Sequence, residues 1–299
     1  MNKLLNGVYR KLLRICTTHK DVDLSKLSHI KVGGRADIVV YPTCIGDVIK
    51  VLDAIKGKTD YIVLGNLTNV LIEAYHGVII VLSNNFAGVR VVGNTIVANS
   101  GCPLSKVCSI ACENALSGMQ ALCGIPGTVG GAVAMNAGAH GTDMSNVVSS
   151  VLAITNGKVR HYNNKQCGFA YRSSAFGESI ILCVEFTLVP GIVDTIKSKM
   201  FEYLQTRKLT QPLDMPSLGC TFKNVGQVSA GKLIDNEAFK GYQVGGAKVS
   251  DKHANFIVNT GNATFEDVTS IIDKIVKHMH DKYDIDMQTE IKIIKEKSK

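Results

Sequence analysis

The chain contains no tryptophan and only six prolines among its 299 residues. Its nine cysteines, an odd number, run from Cys16 to Cys220 without a single CxxC pair. A disulfide framework and a thiolate zinc site both require paired or clustered cysteines, so neither is expected, no metal is expected, and the compartment reads as reducing. Long apolar runs are missing as well. The 26 residues from Asn114 to Ala139 carry no charge, but they hold six glycines and Pro126. Their longest run without Gly, Pro or a polar side chain is Ala132 to Met135, far below the roughly 18 apolar residues of a spanning helix. A secretory leader is not expected either, because the first 20 residues hold only short apolar pairs such as Leu4-Leu5 and Leu12-Leu13 among basic residues. An amphipathic basic start is also a feature of organelle transit peptides, and nothing else in the chain supports one.

What is present suits a soluble globular protein of about two domains, with 45% hydrophobic residues to form cores. The net charge of +8 is dispersed, apart from a solvated basic tail at Lys292 to Lys299. Without tryptophan or interleaved basic and aromatic residues, an anionic small molecule is a better partner than nucleic acid. Cys108 and Cys112 lie one helical turn apart in an apolar pattern, as small buried thiols do.

Short apolar segments with a two-residue period alternate with amphipathic ones. Segment 36–42, helix 45–57 with Val48, Leu52 and Ile55 on one face, and segments 61–65 and 78–83 form a first α/β unit. Strands then dominate to Pro190, with turns at Gly93-Asn94 and Asn156-Gly157. A helix starts near Pro103 and turns Leu104, Val107, Cys108, Ala111 and Cys112 inward. Pro190-Gly191 marks a boundary, after which Ile196, Met200 and Leu204 open a further amphipathic helix. The last helix has a capping-box start at Thr264 and Asp267, and a strand over 287–294 closes the chain. The expected division is 1–84, 85–191 and 192–299.

Two nucleotide motifs fail. Gly226 to Lys232 nearly spells a P-loop, but Leu233 stands where Ser or Thr must ligate Mg²⁺, and Lys232 is better placed at a helix start. No GxGxxG follows a strand. Two glycine loops remain: Gly65, Asn66, Thr68 and Asn69 after one strand, and Gly124, Pro126, Gly127, Thr128, Gly130 and Gly131 within the charge-free stretch. Both offer backbone amides and short side chains suited to a pyrophosphate, although either alone is more often an ordinary turn.

Taken in order, the segments IKVGGRAD, LGNLTNVLI, SGCPLSKV, GIPGTVGGAVAMNAGAHG, FAYRSSAF, PSLGCTFKN, AGKLID, GGAKVSDKHANFIVN and TEIKII resemble the UDP-N-acetylenolpyruvoylglucosamine reductase family over about Leu27 to Ile294. The resemblance implies an α+β chain with a two-part FAD-binding fold of the vanillyl-alcohol-oxidase (PCMH) type, formed by 1–84 and 85–191, and a C-terminal α+β domain at 192–299 for a UDP-sugar. It implies bound FAD, NADPH as co-substrate, no nucleic-acid or membrane partner and a cytoplasmic location; the sequence does not reveal the oligomeric state, for which a monomer is the expectation. The glycine-loop residues above, with Asn136 and Gly138, would cradle FAD. Arg172 would stabilise a carboxylate gaining charge, a role suited to its permanently charged planar fork. Cys220 occupies the position where many members carry a proton-donating serine, and a thiol of ordinary pKa ~8.5 is a stronger acid than an alcohol. Glu290 would polarise the intermediate or share its proton. Lys223, Asn224 and Lys292 would meet the phosphates and uridine. The short segment Arg207 to Asp214 leaves no room for a substrate-covering insertion, which places the chain with a shorter subclass. A flavin oxidoreductase of the same fold with another substrate would explain the loops but not Arg172, Cys220 and Glu290 together. A non-catalytic basic nucleotide- or RNA-binding module would be colourless.

Overall fold

The computed structural model describes residues 3–296; the last three residues of the basic tail lie outside that range. Seven helices are described: α1 (Lys3–Leu12), α2 (Ile45–Ile55), α3 (Leu104–Glu113), α4 (Val129–Ala134), α5 (Val193–Thr210), α6 (Ala230–Asn236) and α7 (Phe265–Tyr283). The chain divides into two compact units that alternate along the sequence. The first takes residues up to Thr18, Val40–Asn66 and Ile79–Arg207; the second takes His19–Val39, Leu67–Val78 and Lys208 onward.

In the first unit a five-stranded antiparallel sheet runs in the order Lys158–Asn163, Val148–Thr155, Ile180–Thr187, Thr95–Asn99, Val89–Val92. Its buried face packs with α3 and α4 in one core that includes Ile96, Val107, Val133, Val151 and Phe186. The inward residues of α3 are those its periodicity predicts: Leu104, Val107, Cys108, Ala111 and Cys112 are all buried. Pro103 sits at the cap, one position before the helix. On α2 the buried stripe is Val48, Val51 and Ile55, so Val51 takes the place expected of Leu52.

In the second unit an antiparallel sheet runs in the order Ser217–Cys220, Phe256–Asn259, Ala247–Val249, Gln243–Val244. Helix α7 contributes Val268, Ile271, Ile272, Ile275 and Met279 to the core of this unit. Its first turn is closed as the sequence indicates, with the Asp267 N–H donating to Thr264 Oγ1 at 3.1 Å and the Thr264 N–H to Asp267 Oδ2 at 2.9 Å. The short parallel pair Val70–Ile72 and Lys292–Ile294 joins distant parts of the chain.

Three expectations change. Helix α5 packs with the first unit as far as Arg207. Of its expected inward stripe Ile196 is buried and Met200 packs on the core, while Leu204 is 43% exposed. The polar segment Thr17–Asp23 is a strand that hydropathy alone does not reveal, because most of its residues are exposed. The closing strand covers Lys292–Ile294 only, and Glu290 lies in a bend before it. Among the described residues no helix is long and apolar enough to cross a membrane.

Candidate functional site

Inside the first unit, Gly65 of the first glycine loop meets the second loop. Gly65 leaves the strand Tyr61–Leu64, and a Cβ there would stand 2.4 Å from Thr128 Oγ1. Thr128, 3% exposed, caps α4 by accepting from the Gly131 N–H at 3.4 Å. Gly130 donates its N–H to the Ser100 carbonyl at 2.8 Å, and a Cβ on it would come 2.8 Å from Ser100 Cβ. Side chains at these two positions would push the loops apart, which is why the missing Cβ matters. The buried Ser100 Oγ has no hydrogen-bond partner here. Arg207 of α5 donates to the carbonyl of Gly124, and the Cys123 thiol lies 3.9 Å from the Met200 carbonyl, so the helix is fastened onto this loop. A close-packed glycine cradle, short side chains and an orphaned hydroxyl fit a bound dinucleotide and its pyrophosphate.

Asn136 and Gly138 lie beyond α4, next to Arg172. Asn136 is 3% exposed and its amide is engaged by protein: Nδ2 donates to Asp143 Oδ2 and to the Ala170 carbonyl, each at 3.1 Å, and Oδ1 accepts from the Ser145 N–H at 3.0 Å. Its side-chain N–H groups are therefore already used within the protein. Arg172 sits in a turn closed by Ala170 N–H to Ser173 O and Ser173 N–H to Ala170 O, at 3.0 and 3.1 Å. Its φ is +54°, a left-handed backbone that few non-glycine residues adopt. Its Nη2 donates to the Gly138 carbonyl at 3.2 Å, and its guanidinium carbon lies 5.2 Å from the centroid of the Tyr171 ring.

In the second unit the other expected residues converge. The Glu290 N–H donates to the Thr221 carbonyl at 2.7 Å and the Lys223 N–H to the Gln288 carbonyl at 2.9 Å, so the chain around Cys220 runs antiparallel beside that around Glu290. Asn69 Nδ2 donates to the Glu290 carbonyl at 3.3 Å, and Lys292 N–H donates to the Asn69 carbonyl at 2.9 Å. Asn69 thus supports the Glu290 segment. Asn224 Oδ1 accepts from the Ala230 N–H at 3.1 Å at the start of α6. Lys223 is half-buried and Lys292 exposed. The near P-loop becomes a turn at Val225–Val228 leading into α6, with Lys232 on the helix. Asn66, Thr68 and Pro126 stay on their respective loops, the first two partly buried and Pro126 exposed.

Asn255, within the segment GGAKVSDKHANFIVN, is a functional residue to which the sequence assigned no role. Its Oδ1 accepts from the Phe222 N–H and its Nδ2 donates to the Phe222 carbonyl, both at 2.9 Å, with the residue 3% exposed. It brackets the backbone two residues after Cys220. An asparagine between Ala254 and Phe256-Ile257-Val258 was the available signal, since a buried amide requires partners. His253 is half-buried, and burial pushes its pKa down. The core thiols behave alike: burial raises Cys108, and pushes Cys167 up to about 11, so both stay protonated.

Residues 36–163 match the family model described as FAD binding domain, which establishes an FAD-binding domain in the segment that holds both glycine loops. Residues 211–294 match the model described as UDP-N-acetylenolpyruvoylglucosamine reductase, C-terminal domain. The UDP-N-acetylenolpyruvoylglucosamine reductase of Caldanaerobacter subterraneus subsp. tengcongensis is 38% identical over 303 residues, covering 99% of this chain and 100% of the relative. That of Clostridium botulinum strain Hall is 37% identical over 284 residues, covering 93% and 92%. The crystal structure of the Thermus caldophilus enzyme superposes with a TM-score of 0.82 at 30% identity, over 93% of this chain and 99% of that one.

Proposed function

Because the chain belongs to the UDP-N-acetylenolpyruvoylglucosamine reductase family, we propose that Arg172, Cys220 and Glu290 carry the reduction of the enolpyruvyl sugar nucleotide to UDP-N-acetylmuramate. Bound FAD supplies hydride transfer from NADPH to the methylene carbon of the enolpyruvyl ether. Negative charge then develops beside the substrate carboxylate, and the chain's own residues must stabilise it and deliver a proton to the adjacent carbon. The Arg172 guanidinium is the electrostatic partner of that carboxylate. The Cys220 thiol donates the proton, and the Glu290 carboxyl polarises the same centre or shares the proton. Lys223 and Lys292 meet the phosphates of the UDP-sugar, and Asn224, whose oxygen holds α6, offers its N–H side to the nucleotide. Gly65, Asn66, Thr68, Gly124, Pro126, Gly127, Thr128, Gly130 and Gly131 form the cofactor cradle. Residues 1–84 and 85–191 are the cofactor-binding part, and residues 192–299 are the UDP-sugar part. The location is cytoplasmic.

The observation that supports this reading is the main-chain pairing of the Cys220 and Glu290 segments, in which the Glu290 N–H donates to the Thr221 carbonyl at 2.7 Å. Anaerobic mixing of the purified yellow protein with NADPH should bleach the flavin, and the enolpyruvyl sugar nucleotide should restore its colour. Bleaching without restoration would leave a flavin oxidoreductase acting on some other substrate.

A further inference from the structure

We propose that Asn136 is the positioning residue for Arg172, an inference that rests on the role given to Arg172 above. Two of the contacts that hold Arg172 lead to the same buried amide. Its backbone belongs to the turn whose base is Ala170, and the carbonyl of Ala170 accepts from Asn136 Nδ2. Its guanidinium rests on the carbonyl of Gly138, which pairs with Asp143 in a short hairpin. The Asp143 carboxylate accepts the other Asn136 N–H. One side chain therefore fixes the distance between the turn that presents the guanidinium and the hairpin that receives it.

Only an amide performs this task. The position needs two donors facing two oxygens and one acceptor facing the Ser145 N–H. Aspartate would match the shape but set an oxygen against both the Ala170 carbonyl and the Asp143 carboxylate. The backbone at Asn136 has φ +40°, which asparagine tolerates better than most residues. The turn keeps other tethers when Asn136 is changed: Ser174 Oγ donates to the Ala134 carbonyl at 2.9 Å and Ala175 N–H to the Cys167 carbonyl at 2.9 Å. Loosening Arg172 without unfolding the unit is thus feasible.

The test uses full-length, flavin-loaded protein carrying Asn136→Asp or Asn136→Gly, the latter retaining the left-handed backbone. Flavin content, melting temperature and the rates of the NADPH and enolpyruvyl half-reactions are measured separately. Flavin content and the NADPH half-reaction should stay near wild type, while the enolpyruvyl half-reaction falls roughly 10–100-fold, as a misplacement of about an ångström produces. In an Arg172→Ala background, Asn136→Asp should cost less than about twofold more, because the two residues act as one device. Loss of flavin, an equal fall in both half-reactions, or full additivity with Arg172→Ala overturns the proposal. If Arg172→Ala alone leaves the enolpyruvyl half-reaction intact, the role assigned to Arg172 fails instead.

Discussion

Replacing Asn255 by alanine tests the claim that a buried amide holds the proton-donor segment. The substitution removes two hydrogen bonds of 2.9 Å and leaves the N–H and carbonyl of Phe222 unpaired inside the second unit, where Phe222 is 1% exposed. A buried polar group left without a partner costs about 1–3 kcal/mol, so the pair amounts to roughly 2–6 kcal/mol of lost stability. The Thr221 N–H still reaches the Asn255 main-chain carbonyl at 2.7 Å, which keeps the effect from spreading along the whole segment. Asn255→Asp separates the two contacts. It retains an acceptor for the Phe222 N–H but faces the Phe222 carbonyl with an oxygen, and it should destabilise as well. Urea unfolding followed by far-ultraviolet circular dichroism gives the difference for both variants. A loss below about 1 kcal/mol for Asn255→Ala would show that Phe222 finds other partners and that the bracket is not what fixes this segment.

Three further outcomes are expected. Gly65→Ala should lower the melting temperature, because its Cβ would stand 2.4 Å from Thr128 Oγ1, and a second change, Thr128→Ala, should restore part of the loss by removing that oxygen; an unchanged Gly65→Ala melting temperature would refute the close approach. Cys220→Ala should keep flavin bleaching by NADPH but slow turnover by orders of magnitude, with Cys220→Ser retaining substantial activity; a folded but inactive serine variant would contradict proton donation. Hydrogen bonds from Lys282, Tyr283 and His278 hold the Glu237 carboxyl down to about 2 from an ordinary 4.5. Its contribution is therefore complete above pH 4.5 and lost as pH falls towards 2, so Glu237→Gln should destabilise at neutral pH and match wild type near pH 2; an equal deficit at both ends would be wrong for this linkage.

Local signals served well where one residue's environment follows from its near neighbours. The inward faces of α3 and α7 and the Thr264–Asp267 cap follow from spacing alone, because helical period and capping involve residues within a few positions of one another. Helix α5 did not follow. Its sequence carries Ile196, Met200 and Leu204 at helical spacing, yet its attachment depends on Arg207 reaching Gly124 and on Cys123 meeting Met200, contacts spanning some 80 positions of chain. Glu290 was legible as a residue but not as a bend, since its conformation is set by Thr221 and Asn69.

The sequence by itself determined the charge-free glycine stretch, the absence of metal-type cysteine spacing, and the ordered motifs that place the chain in its family. Those are properties of residue type and order. Only the tertiary structure decided what each glycine-loop neighbour does: Gly65 and Gly130 yield space to Thr128 and Ser100, while Asn136 spends its amide on Asp143 and Ala170. The reason is physical. A missing Cβ or a buried amide has meaning only through the atoms that fold against it, and those atoms come from elsewhere in the chain.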